Sequence, residues 1–335
     1  MSRQYDVYGL GHALVDLQYK VSTDFLAAQN ITKGIMTLID GDRQQTLFQA
    51  LPEIPVESAS GGSAANTMIA LAGFGGSSYF ACLVADDHWG DFYLQDLRQA
   101  GVHSNPGSRG SDRTGQCIVM ITPDADRTLN TFLGASAALG PAQVDQKAIA
   151  ASHYIYLEGY LLSSDGGFEA CRLAQRLAQR NDTAVSLTLS DPFAVESCRQ
   201  RFEQLVETGV DLLFANEEEA RSFTGAEDTA TAVDLLTQRV GTACVTCGRA
   251  GAVLGRGAQR VAIPGLAVEA VDTNGAGDAF AGGTLYGFTH GHDLAAAGTL
   301  GCYAAAQVVS RLGPRLETSL KDHINTILAT ANSEE

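Results

Sequence analysis

The chain has 335 residues, 45% of them apolar, enough to bury a large core as one big α/β domain or two smaller ones. Its 22 basic against 38 acidic residues leave a net charge of -16, which argues against general binding to nucleic acid or to an anionic membrane. A phosphate ligand would need local donors rather than a global positive field.

Met1-Ser2-Arg3-Gln4-Tyr5-Asp6 leads straight into a strand-like run, without an apolar signal core. No run of about 18 apolar residues follows anywhere, so the expectation is a cytoplasmic protein. The seven Cys are odd in number and scattered, which speaks against a disulfide framework. Cys244 and Cys247 form one C-x-x-C inside a strand-like run, where residues three apart face opposite ways and would not chelate one metal.

A first strand is predicted at residues 7–10, ending at Gly9-Leu10-Gly11. Residues 13–21 alternate partly between apolar and polar, as a half-exposed strand does. Asp16 falls just past the carboxyl edge of the first strand, where open α/β sheets bind ligands. Its carboxylate can accept from two hydroxyls at once; a solvent-facing Asp is the alternative. A short helix is predicted at 43–51. Ser60-Gly61-Gly62-Ser63-Ala64-Ala65-Asn66-Thr67 then opens a helix running to Ala72. Ser63 suits an N-cap there, and Asn66 can donate and accept toward a polyol.

Next come a strand at 79–84, a helix at 91–100 and a polar, Gly-rich stretch at 101–113. Strands at 116–122 and 127–133 follow, joined by a turn at 123–126. Arg127 beside that turn reads as a surface Arg or a phosphate contact. From about residue 153 the pattern is regular, with strands at 154–157, 184–189, 212–215, 243–246 and 252–254. They alternate with helical stretches such as 167–180 and 229–239. This rhythm predicts a mostly parallel central sheet covered by helices on both faces. No internal repeat or linker divides the chain.

Asn216-Glu217-Glu218-Glu219 follows a strand immediately, with Asn216 and Glu219 at capping-box positions. Toward the C-terminus a strand-like run at 261–271 stops at Asp272-Thr273-Asn274-Gly275-Ala276-Gly277-Asp278, and small residues continue at helical spacing to about Thr289. Gly275, Ala276 and Gly277 thus open a helix whose free amides attract an anion. Asp278, in its first turn, stands where a carboxylate can take a proton from a hydroxyl. A Rossmann turn fails because Phe280 stands where a third small residue is needed, and no Gly precedes Lys-Ser or Lys-Thr as in a Walker A loop. The Ala-rich helix at 293–311 is expected to pack its small face against the helix carrying Asp278.

The segment from Asp272 to Asp278 resembles the C-terminal signature of the ribokinase-like (PfkB) carbohydrate and nucleoside kinases. The Gly62 loop with Asn66 resembles their N-terminal signature, and Asn216-x-x-Glu219 their Asn-x-x-Glu motif. The resemblance implies one α/β kinase domain over residues 1–335, with small β-lid segments at about 13–40 and 111–135. It implies an ATP- and Mg²⁺-dependent transfer to a primary hydroxyl of a small molecule. In that reading Asp278 is the base and Gly275, Ala276 and Gly277 form the anion hole. Asp16, Gly62, Ser63, Asn66 and His12 grip the acceptor, Glu219 serves the metal, and Asn216 supports it. Val245-Thr246-Cys247-Gly248-Arg249-Ala250-Gly251 resembles the turn that meets ATP, which assigns Thr246, Gly248 and Gly251, with Arg127, to the nucleotide. K⁺ near Asp272 and Thr273, and a monomer or homodimer, stay open.

Within the family the loop from Gly9 to Asp16 is most similar to adenosine kinases, with His12 where those carry Asn. Tyr160 and Phe193 fall where those enzymes hold aromatics near the purine. A sugar kinase of the ribokinase, fructokinase or 2-keto-3-deoxygluconate type is the alternative, and a silent nucleoside-binding protein the outlier.

Overall fold

The computed structural model describes residues 3–104, 109–124 and 126–331. Parts of the predicted polar stretch at 101–113 and Ala125 of the predicted turn lie outside the described residues. A nine-stranded sheet crosses the molecule in the order Gln259–Pro264, Gly251–Arg256, Thr242–Thr246, Leu212–Asn216, Ala184–Thr188, Ser152–Leu157, Tyr5–Leu10, Ser78–Ala81, Val102–Ser104. All neighbours are parallel except the terminal hairpin formed by the first two of that order and its junction with Thr242–Thr246. The predicted parallel sheet is therefore correct; the predicted strand ends lie within three residues of the observed ones except at the strand of 259–264, and Val102–Ser104 is a strand inside the stretch read as polar and Gly-rich.

Both faces are covered, because side chains alternate across each strand. Val7 joins the core formed with the helices Ser63–Gly73, Ala276–Thr289 and Leu294–Val309. Tyr8 and Leu10 join the opposite core, formed with Asp165–Arg180, Arg199–Thr208 and Thr229–Thr237. The helix carrying Asp278 is the most tightly held. A side chain at Gly282 would meet Ala70 Cβ at 2.6 Å, and one at Gly283 would meet the Leu300 carbonyl at 2.7 Å. The expected packing against the Ala-rich helix is thus realised through glycines on both sides of the contact.

A second sheet of five strands runs Met36–Leu38, Arg127–Phe132, Gln116–Ile121, Leu14–Lys20, Glu57–Gly61. The last strand lies outside the expected lid segments. Glu57-Ser58-Ala59-Ser60-Gly61 carries no apolar alternation, and antiparallel pairing with residues 14–18 holds it extended. The strand Leu14–Lys20 is not half-exposed as predicted: Asp16 and Gln18 are buried along with Val15 and Leu17.

The strand predicted over 261–271 ends at Pro264. Proline lacks a ladder donor, and this is the edge of the sheet, so the apolar run beyond it has nothing to pair with. Leu266, Val268 and Val271 are left 40–41% exposed. Cys244 is buried in its strand while Cys247 sits beyond the strand's end. Among the described residues no cluster of His, Cys, Asp or Glu is arranged to hold a metal, and no helix is long and apolar enough to cross a membrane.

Candidate active site

A cleft of about 450 Å³ opens between the carboxyl edge of the central sheet and the second sheet. Asp278 sits on its floor in the first turn of Ala276–Thr289. Ser63 Oγ donates to Asp278 Oδ1 at 2.6 Å, and Asn66 Nδ2 donates to Oδ2 at 3.2 Å. The N-terminal and C-terminal motifs, more than two hundred positions apart, thus meet in one hydrogen-bonded group. Ser63 does not cap its own helix. Gly62 takes the cap position at φ 100°, which only glycine adopts freely, and the Ser63 hydroxyl is released for Asp278.

Gly275 is left-handed at φ 76°, and Pro314 occupies the space that a side chain there would need. The chain turns sharply at this point, and the amides of the next residues have no intrahelical acceptor. Gly277 is open: a Cβ there would meet nothing within 4 Å. A bare amide edge at the positive end of a 14-residue helix is a good seat for phosphate oxygens.

Burial dominates the electrostatics. It pushes the Asp278 carboxyl up to about 6, against the opposing pull of Ser63 and Asn66. Burial likewise raises Asp16 to about 7, while Arg315 and Arg127 oppose it and Asp278 adds to it. Glu219 is raised to about 7 by burial, with Asp191, Asp278 and Glu218 reinforcing the rise. His12 is lowered to about 4 by burial, which makes it a neutral ring; its Nδ1 lies 3.0 Å from Ser136 Oγ. Asn66 Oδ1 is buried without a hydrogen-bond partner, on a residue that lines the cleft.

Among the other expected site residues, Asp16, Gly62, Tyr160, Phe193, Asn216, Glu219 and Thr246 all line the cleft. Gly248 and Gly251 lie on the turn beyond Thr246 and do not line it. Arg127 is not at the surface. Its guanidinium is buried 3.1 Å from Asp272 Oδ2, joining the second sheet to the turn before the anion seat. Asp272 also accepts the amides of Asn274 at 3.1 Å and Gly313 at 2.8 Å. That carboxylate thus meets one full positive charge and two amide donors.

The acidic rim suits a Mg²⁺ ion carried in on a nucleotide. Asp191, Asp278 and Glu218 all add to the rise of Glu219, as uncompensated negative groups do. Mg²⁺ keeps several waters and asks few carboxylates of a protein. Glu219 Oε2 accepts from the Asn216 amide at 3.0 Å and Oε1 from Asn216 Nδ2 at 2.6 Å, an orientation that holds it at the cleft.

Two residues of this site escape sequence reasoning. Glu158 lines the cleft 1% exposed; its place just after a strand signals a sheet edge but not burial. Arg315 had no such signal. It joins Asp96 at 2.8 Å and Ser60 Oγ, behind the Gly61-Gly62 turn.

Residues 52–320 match the pfkB family carbohydrate kinase. The adenosine kinase of Saccharomyces cerevisiae is 30% identical, over 91% of this chain and 95% of its own length. Among solved structures, adenosine kinase from Sinorhizobium meliloti has a TM-score of 0.89 at 38% identity, covering 96% of this chain and 99% of that one. A Rhizobium etli protein described as a probable sugar kinase has a TM-score of 0.90 at 37% identity, covering 99% and 100%. The family match spans most of the chain and the yeast relative nearly all of it, and on that footing the chain belongs to the pfkB family of carbohydrate kinases and its chemistry is phosphoryl transfer from ATP.

Proposed function

We propose that the protein transfers the γ-phosphoryl of ATP to the 5′-hydroxyl of adenosine, giving AMP and ADP. One observation carries the choice of acceptor. The mouth of the cleft opposite the anion seat is apolar, with Leu14, Leu38, Leu129 and Leu133 on one side and Phe193 on the other. Phe193 is 76% exposed and Leu38 58%, a large apolar cost unless something flat covers them. A purine does so; a free sugar does not.

The chain's own groups then divide the work. Asp16 accepts two ribose hydroxyls, and Asn66 Oδ1 takes another, satisfying its orphaned acceptor. Asp278, freed to ionise near neutral pH, takes the proton of the attacking hydroxyl. The amides of Gly275 to Asp278 hold the charge on the moving phosphoryl group, and Arg127, paired with Asp272, braces the turn that carries them. Magnesium, when bound with ATP, supplies charge neutralisation on the phosphates; Glu219 would hold it through water, with Asn216 in support. The second sheet acts as a lid that keeps water from the transfer.

The test is ADP formation with adenosine, other nucleosides, ribose, fructose and 2-keto-3-deoxygluconate. Base stacking is worth about 1–3 kcal/mol, so adenosine should exceed every sugar in kcat/KM by about tenfold or more. A sugar turned over better than adenosine would replace this reading with a sugar kinase.

A further inference from the structure

The reaction as described leaves one buried acid without a task. Glu158 follows the strand Ser152–Leu157 and is 1% exposed, yet it is neither base nor metal contact. Both of its oxygens are turned on backbone. Oε1 accepts the amide of His12 at 3.2 Å, and Oε2 accepts the amide of Ala64 at 2.9 Å. The first amide belongs to the loop that delivers Asp16. The second opens the helix Ser63–Gly73, which delivers Ser63 and Asn66, and its positive end favours a carboxylate.

The surroundings are shaped to this contact. A side chain at Gly11 would lie 2.5 Å from Glu158 Oε2 and 2.6 Å from Ala64 Cβ, so three chain segments close on the carboxylate at a spacing glycine alone permits. A buried acid held by two backbone amides is costly to keep.

We infer that Glu158 is a positioning residue: by tying the His12 loop and the start of the Ser63–Gly73 helix to one strand end, it sets the separation of Asp16 and Asn66 across the acceptor subsite. The inference rests on the acceptor lying between those two residues, but not on which acceptor it is. The amides of the anion seat lie on a different helix from either segment, so ATP binding is not coupled to it, whereas Asp278, held by Ser63 and Asn66, is.

Glu158→Gln tests this with the acceptor that wild type uses best in the panel above. A glutamine has one acceptor and one donor against two N–H groups, so one amide is left facing an N–H. The acceptor KM should rise about tenfold or more, the expected loss for an unsatisfied buried donor. The KM for ATP should stay within about twofold of wild type, since no nucleotide contact is touched. Gly11→Ala, which crowds Oε2 without removing it, should give the same split. Equal rises in both KM values, or a fall in Tm with an unchanged acceptor KM, would make Glu158 a purely structural group and overturn the inference.

Discussion

Asp278 meets two donors before any substrate arrives, one from Ser63 and one from Asn66. Both belong to the loop that grips the acceptor, so the base is aimed by the segment that presents its target. Asp278→Asn keeps the shape and removes the proton acceptor. It should lower kcat by about 10²–10⁴, the usual worth of a positioned base, with ATP affinity little changed. Near-full turnover by that variant would remove Asp278 from the role. Phe193 allows a second residue-level test, because its exposure separates binding from packing. Phe193→Ala empties no core space, so Tm should hold, as for surface changes of within about 0.5 kcal/mol. Adenosine use should weaken about tenfold or more if the ring stacks on the base. Unchanged adenosine KM would take the ring out of the subsite. Asp278, Asp16 and Asn66 were legible because glycines at fixed offsets announce them. Glu158 was not, since an acid just after a strand reads the same whether it is solvated or closed over by two distant loops.

The element Glu217–Thr224 shows how one motif answers two descriptions. Asn216 and Glu219 form a full capping box, with Asn216 Oδ1 also accepting the Glu219 amide at 2.8 Å. The same geometry turns the Glu219 carboxyl to the cleft. Capping and metal support are therefore not rivals. Glu219→Gln should raise the magnesium needed for half-maximal rate with little loss of helix stability, because Asn216 remains the N-cap and glutamine also serves a capping box. Glu217, whose exposed carboxyl accepts from Thr229 Oγ1 at 2.7 Å and also meets the Cys247 thiol, should not change the magnesium requirement when changed to Gln. Equal magnesium dependence in the two variants would reduce the motif to a cap. Elements with strong periodicity, such as the helices of the C-terminal half, could be read from sequence. The run beyond Pro264 could not, because its β-branched residues favour extension while the sheet offers no further edge partner. Glu57–Gly61 was hidden for the converse reason: its pairing partner makes it a strand, not its own residues.

Across the whole molecule, the site's carboxylates bind protons more tightly folded than unfolded. Asp16, Glu158 and Glu219 are raised by burial to about 7, and Asp278 to about 6, from ordinary values of 3.8 for Asp and 4.5 for Glu. The folded state therefore carries more protons than the unfolded chain between roughly pH 4 and 7, and stability falls as pH rises through that window. His12 works in the other sense. Lowered to about 4, it must stay neutral in the fold, and its contribution is lost as pH falls below the ordinary histidine range. Four carboxylates against one imidazole leave the balance with the acids, and protonation also relieves the self-repulsion of a chain with net charge -16. Activity should respond oppositely. Ionised Asp278 and Asp16 are the working forms, so kcat/KM for the acceptor should fall as pH drops from 8 to 6. Over the same interval Tm of the ligand-free protein should rise. Thermal melts and initial rates on one preparation decide the matter. A Tm that fell along with the rate would mean that acid unfolds the protein and that the buried carboxylates are compensated by charges beyond Arg315 and Arg127. Divergent curves would mean that the site is held in a state the fold resists, with ionised acids kept ready for a cation and a ring of hydroxyls.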